Sequence, residues 1–585
     1  MDTRKGMRAF GLLLAFMLAG PAQAQDDKLG TETVTVVRSY SPTVSDAYKI
    51  RPLPVLNDSI ALQKKPVTYS INSVPVASTF TPSKGKAAAV ERSAPEKLFN
   101  SYASLGLGNY NNALADLYIS RDFDRGSKRL DLGLNHRSSR GQLDATPLDT
   151  DFYNSALDVT WSQRERDWNW SAGAGLEHRL YNWYGLPEGV FDPAVVAGID
   201  ESQNYLRGQL EGKVHLEDTY FTDASLLARR FWDGADSWEN RLRLEPKFEF
   251  PVTEETLSLG LHLDYVAGRF ANSDQSEYVN SGAIQYGFLQ AGVQPSLLML
   301  RDDLRLELGA RLVYGTDLER SEGNFYIYPA VKASYQVMDE TVIAFGGVEG
   351  GLRQNSYYDF SVENPFVAPT LAVRPTDRQY EAYLGLKGQL TPELSYTIKG
   401  SYAAENFRPL FILNPQNDSR SDEKGYFYGN SFRVFYDDLR TLGIFGELQY
   451  SLNRDFSLGL SASAFDYSTE TDNPAWNLPS VEARLFLDYQ IGSGWYLGAN
   501  LFYVGERKDF ASVALPNTDP SLYPATILTL DGFFDANLQV GYHVNEQLSL
   551  FAKASNLANN AYQRWAQFPV QGFQVLGGVS YKFDL

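Results

Sequence analysis

The chain has no cysteine. Disulfides are therefore excluded, and so are thiolate metal sites. Histidine is scarce: His136, His178, His215, His262 and His543 are the whole set, and no two fall at metal-ligand spacing. After the first two dozen residues no apolar run is long enough for a membrane helix. No Gly-x-Ser-x-Gly stands in an elbow context, no Ser/His pair stands out, and the acidic residues are too dispersed to nominate a catalytic pair. No phosphate-cradling glycine loop follows a strand. These absences point away from an enzyme and imply no cofactor and no metal. The formal net charge of −19 argues against a nucleic-acid partner.

What is present is first a secretory signal. Arg4, Lys5 and Arg8 form a charged region, Phe10 to Ala19 an apolar core, and Ala22-Gln23-Ala24 a small-residue cleavage site. Residues 1–24 are expected to be removed, so that the mature chain starts at Gln25. The following segment, 25–97, has seven prolines and no sustained periodicity. It is expected to be extended and partly disordered. It carries ten Lys/Arg against seven Asp/Glu, whereas the remainder from Leu98 is strongly acidic. That asymmetry would let the basic segment lie against or inside the acidic part.

From Leu98 the chain becomes a series of alternating stretches. Leu257, Leu259, Leu261 and Leu263 alternate with Ser258, Gly260, His262 and Asp264. Phe456 to Ala464 and Leu548 to Ser555 repeat the pattern, although Phe551 breaks the polar face of the second. The last stretch, Gln574 to Leu585, puts Val575, Val579, Tyr581, Phe583 and Leu585 on one parity, with Leu576 as the exception on the other. Aliphatics on one face and small polar residues on the other suit a lipid exterior and a wet lumen; a soluble barrel would show the reverse. His262 falls on the lumen parity and is expected to be a solvated lumen residue.

The connections alternate in length. Ten are tight and charged or glycine-rich, from Asp124-Arg125-Gly126 to Asn545-Glu546-Gln547. The other set is often long: about Ser138 to Thr150, Tyr181 to Glu201, Arg353 to Thr376, Phe407 to Asp438, Glu506 to Ala525 and Ala558 to Gly572. Short turns at one rim and long loops at the other are the outer-membrane arrangement. Ten turns join twenty strands, and one strand at each end makes 22. This count takes Tyr426 to Tyr436 as a hairpin within a loop. The expected fold is all-β: a transmembrane antiparallel β-barrel of about 22 strands over 98–585, in the outer membrane of a Gram-negative bacterium.

Two stretches resemble TonB-dependent outer-membrane receptors. Ala554-Ser555-Asn556-Leu557, Tyr562, Phe568-Pro569, Gly572 and the closing strand are similar to that family's last loop and final strand. Ala558 stands where the family usually has an aromatic, and Leu585 rather than Phe ends the chain. Asn364-Pro365-Phe366, Pro369 and Tyr380-Glu381 resemble its mid-barrel Asn-Pro loop and Tyr-Glu strand. At the N-terminus, Glu32, Thr33, Val34, Thr35, Val36 and Val37 resemble a TonB box, a β-prone run that adds to a sheet edge in a partner. Such a run can equally pair within its own chain. The departure is the plug: the resemblance implies a globular domain well over a hundred residues long, and here only the Pro-rich residues 25–96 are available.

The long loops are the candidate binding surface. Trp183, Tyr184, Tyr357, Tyr358, Phe360, Phe407 and Phe411 lie in or beside them, near Tyr426 and Tyr428. Loop aromatics can stack a ligand or anchor a protein. The alternative is that they form the interfacial girdle or the packing of a folded loop. The leading expectation is a transporter or receptor for uptake of an unidentified solute, coupled to TonB through Glu32 to Val37. The alternatives are a non-transporting subunit that docks a periplasmic partner or a surface lipoprotein, and a passive channel. Outer-membrane lipids surround the barrel in every case.

Overall fold

The computed structural model describes residues 98–585 apart from 144–145, 187–189, 272–282, 416–423 and 513–524. The signal, the segment 25–97 and its run Glu32–Val37 lie outside the described residues. Twenty-two strands form one antiparallel sheet in which successive wall strands pair. The first, Ser101–Gly108, pairs with the last, Gln574–Phe583, in a register running from Ser101↔Phe583 to Gly108↔Leu576. The sheet is therefore a closed barrel with no unpaired edge in its wall. The expected strand count holds, and all ten tight turns fall where the charged and glycine-rich triplets stand. Several of those turns need a left-handed residue, and Asp or Asn supplies it: Asp218 at φ 54°, Asp302 at 43° and Asp339 at 42°.

The alternation also holds. Leu257 and Leu263 are exposed on the outer face, whereas Asp264 on the opposite parity is buried toward the lumen. His262 Nδ1 donates to Glu245 Oε1 across 3.1 Å on that same inner face. The two breaks in the pattern share one explanation. Phe551 lies beside Gly578, and a Cβ at Gly578 would collide with its ring. Leu576 likewise covers Gly106 and Gly108 of the first strand. Each large side chain on the polar face fills the space left by a glycine on the neighbouring strand, one on each side of the last strand.

One expectation is corrected. Tyr426 to Tyr436 is not a separate hairpin. Phe432–Ser451 is a single strand of 20 residues, paired with the 20-residue strand Leu394–Leu413 through Leu413↔Phe432 and Phe411↔Val434. At about 3.3 Å per residue each is roughly 65 Å long, about twice what a membrane crossing needs. The pair thus rises out of the bilayer as a ribbon with both faces covered. Phe411, Leu413, Phe432 and Val434 face one core; Leu410 and Ile412 face Trp476, with Phe435, Leu478 and Phe510 packed around them. That two-sided burial is why 410–413 is a continuous apolar run instead of an alternating one.

Candidate functional site

The long loops fold over the mouth of the barrel. Trp183 lies just past the fifth wall strand and Asn430 just before the sixteenth, eleven strands apart in a ring of 22. They are therefore on opposite sides of a cylinder roughly 40 Å across. Yet Asn430 Nδ2 donates to the Trp183 carbonyl at 2.6 Å, and the Trp183 and Tyr426 rings meet edge-on at 5.1 Å. The loops thus meet above the lumen and share one apolar core with the upper ends of the wall strands. At its centre the Phe366 and Phe568 rings stack at 3.9 Å, with Tyr184 edge-on to both. Phe568 approaches Gly185 so closely that a Cβ there would overlap its ring. The two stretches that carry the family resemblance, around Asn364-Pro365-Phe366 and Phe568-Pro569, are therefore in direct contact.

Beneath this core the loop between Arg353 and Thr376 turns inward and presents the helix Tyr357–Glu363 to the lumen wall. Ser356 caps it, accepting the Asp359 N–H at 3.1 Å. Glu239 of the strand Trp238–Val252 accepts the N–H groups of Tyr357 at 2.6 Å and Tyr358 at 3.4 Å, together with the Tyr286 hydroxyl at 2.7 Å. The Tyr357 hydroxyl donates to Asp233 at 2.6 Å, and the Tyr205 hydroxyl to the Pro365 carbonyl at 2.9 Å. Burial holds the Tyr357 hydroxyl well above its usual range, so it stays a donor. Four arginines on four successive strands face the helix. Arg179 donates to the Ser361 carbonyl and hydroxyl at 3.1 and 2.9 Å. Arg241 grips Asp264 in a bidentate pair at 2.7 and 2.6 Å and reaches Asp359 at 3.4 Å. Arg229 lies 3.6 Å from Asp359, and Arg207 sits beside Glu177.

The structure brings six of the seven candidate aromatics together. Trp183, Tyr357, Phe360 and Phe411 are buried in the shared core, with Tyr184 and Tyr358 packed against it. With the loops so placed, the buried rings offer no free face to a solute. Phe407 stands apart, at a bulge in the long strand with φ 55°. It is partly exposed, and the Arg374 guanidinium lies 3.6 Å above its ring. The arginines and Glu239 are not singled out by the sequence. Their one sequence signal is a charge on the lumen parity near the upper end of consecutive strands, which emerges only once the strands are in register. Among the described residues no group of three or more His, Asp or Glu is placed to hold a metal ion.

The outer side of the ribbon carries a titratable anchor. Asp509, on the loop strand Arg507–Ser512, is fully buried and accepts the backbone N–H groups of Leu413 and Phe510 at 3.1 and 2.7 Å. Its other oxygen has no partner, and neither has Oδ1 of Asn477, whose Nδ2 donates to the Phe411 carbonyl at 2.9 Å. Burial raises its carboxyl to about 6, opposed by hydrogen bonds and by Arg507. A raised acid stabilises the folded loop fully below its unfolded value and loses that stabilisation as pH rises through the folded one. The hairpin that this strand forms with Ala525–Leu530 is expected to loosen between about pH 4 and pH 6, by roughly 2–3 kcal/mol. Hydrogen exchange of residues 507–512 in wild type and Asp509→Asn checks this: only the wild type should lose protection across that window. Equal pH dependence in both would contradict it.

Comparisons with known proteins agree with this architecture. A family profile described as TonB dependent receptor-like, beta-barrel matches residues 93–557. No curated protein matches the chain in sequence. Among solved structures, the pyoverdine receptor FpvA from Pseudomonas aeruginosa PAO1, bound to pyoverdine, superposes with a TM-score of 0.60 at 13% identity, covering 84% of this chain and 80% of its own. The FrpB iron transporter from Neisseria meningitidis gives 0.60 at 10% identity, covering 84% and 82%. The siderophore receptor PirA from Acinetobacter baumannii gives 0.60 at 13%, covering 83% and 80%. Identities this low show a shared fold.

Proposed function

Because this chain belongs to the TonB-dependent receptor-like β-barrel family, whose members are outer-membrane transporters and not enzymes, we propose that it is a gated receptor for uptake of a small solute. The observation that carries this reading is the inward-folded loop. Its helix is held on the lumen wall by Glu239 and the arginines, so access from outside requires that one defined element move. Moving it would uncover Tyr357, Tyr358 and Phe360, and opening the core above would uncover Trp183, Tyr184 and Phe411. Trp183, Tyr184, Tyr357, Phe360 and Phe411 are proposed as the solute-contacting surface, with Phe407 at the rim and Tyr358 carried on the moving helix. TonB would engage Glu32 to Val37 by strand addition. Deleting residues 31–37 is expected to abolish energy-dependent accumulation of the solute while leaving binding to whole cells intact. Unchanged accumulation in the deletion strain would contradict the coupling.

A second reading has its own support in the basic, Pro-rich composition of residues 25–97. In that reading the barrel is a scaffold subunit whose tail docks a periplasmic partner or a surface lipoprotein. Purification of the detergent-solubilised protein separates the two: a stoichiometric companion favours the scaffold, and a lone chain favours the receptor. A passive channel accords poorly with loops that meet across the mouth.

A further inference from the structure

Arg229 is a buried cation whose ion pairing depends on a loop. Its side chain is almost wholly enclosed, on the wall strand Phe221–Asp233. Arg241 has Asp264 on the wall, and Arg179 and Arg207 have Glu177. The ion-pair partner of Arg229 among the described residues is Asp359, and that belongs to the inward-folded helix. Its Nε and Nη1 have no hydrogen-bond partner, and neither have Nε of Arg179 and Nε of Arg207. A buried guanidinium with unmet donors is costly, and losing the one carboxylate within ion-pair distance would make it more so, with Glu239 of the neighbouring strand left as a more distant counter-charge. Lifting the helix would therefore leave Arg229 without a direct ion pair unless something else supplied an anion.

What occupies the place now has a definite chemistry. The Tyr358 ring lies 3.8 Å from the Arg229 guanidinium carbon and 5.6 Å from those of Arg179 and Arg207, a cation–π contact to three successive strands. Phe231 meets the same ring edge-on at 5.3 Å. The adjoining Asp359 carboxylate spans Arg229 and Arg241. An aromatic ring with a carboxylate beside it thus fills a wall site made of arginines and one phenylalanine, with the wall carboxylates Glu177 and Glu239 at its edge. We propose that this wall site recognises an aromatic carboxylate, and that Tyr358-Asp359 is its resident occupant, displaced when solute binds. The inference rests on the gated-receptor reading and names the solute class for it. Guanidinium forks match carboxylates in two-point geometry, and their faces stack on rings, so the wall site rewards both halves of such a solute together.

The test uses the full mature chain in detergent micelles, with 4-hydroxybenzoate as the probe and isothermal titration calorimetry as the readout. Removing a competing occupant raises the binding-competent fraction, so Tyr358→Ala/Asp359→Asn is expected to bind the probe about tenfold tighter than wild type. Asp359→Asn alone keeps the ring in place and should gain about threefold. Adding Arg229→Gln to the double variant should abolish the gain. Cyclohexanecarboxylate and phenol, each with half of the probe's chemistry, should bind at least about tenfold more weakly to the double variant. Affinity unchanged by either loop variant, or a gain that survives Arg229→Gln, would overturn the proposal. Binding in micelles does not need transport. A protein that binds as expected yet imports nothing would sink the uptake reading and leave the site standing.

Discussion

Phe568→Ala is expected to open the loop core while leaving the barrel standing. Phe568 is buried, stacks on Phe366, meets Tyr184 edge-on and lies near Phe432 at 5.9 Å. Truncating a buried phenylalanine costs about 3–5 kcal/mol, through lost burial and the cavity left behind. The cost here falls on the loops, because Phe568 contacts the hairpin of the last loop, the Asn364-Pro365-Phe366 segment and Tyr184, which belongs to a third loop. Local opening free energy sets hydrogen-exchange protection, so amides in the segments 364–376 and 563–569 should exchange about two to three orders of magnitude faster. Strands such as Glu255–Phe270 should keep their protection over the membrane-spanning part, since their hydrogen bonds close on neighbours and not on the loops. Unchanged exchange in the loop segments would mean that the rings are neighbours without cohesion.

Arg241→Ala should have a comparably large effect by a different route. The Arg241–Asp264 pair is bidentate and both side chains are almost wholly enclosed. Removing the cation leaves Asp264 with His262 Nε2 at 3.9 Å as its nearest ionisable neighbour, too far for a hydrogen bond. Breaking a buried pair from one side costs about 3–5 kcal/mol, while replacing both partners with apolar residues is often close to neutral. The urea midpoint of Arg241→Ala in micelles should therefore fall well below wild type, and Arg241→Met/Asp264→Leu should recover most of the loss. A double variant as weak as the single one would show that the pair does more than compensate its own burial. Asp359 also loses a partner in either variant, so the loop helix should be less protected in both.

How much of this was legible beforehand follows from the range of the interactions. A wall strand contrasts lipid with water on every second side chain, and that contrast is local, so Leu257 to Asp264 announces itself. The turns are local as well: Asp302 and Asp339 stand in their triplets because a tight turn needs a left-handed residue. Phe551 and Leu576 looked like errors in the pattern because their reason, a glycine on the adjacent strand, lies 27 residues away in one case and at the far end of the chain in the other. The ribbon was misread as a hairpin because 410–413 is apolar on both faces, which period-two reasoning cannot sort. The site was the least visible part. Arg179, Arg207, Arg229 and Arg241 converge through strand register, and their partner Asp359 comes from a loop more than a hundred residues beyond the last of them. Each aromatic stands out singly in the sequence, but that Phe366 and Phe568 touch is a property of the folded mouth.

The gate depends on loops that close the barrel from outside. Planar-bilayer conductance of the protein lacking Gln25 to Ser93 tests that most directly, because any contribution of the basic segment is then removed. The loops alone should keep this version non-conducting at moderate voltage. A large and steady conductance would contradict the account, and would move the role of the seal from the loops to the N-terminal segment.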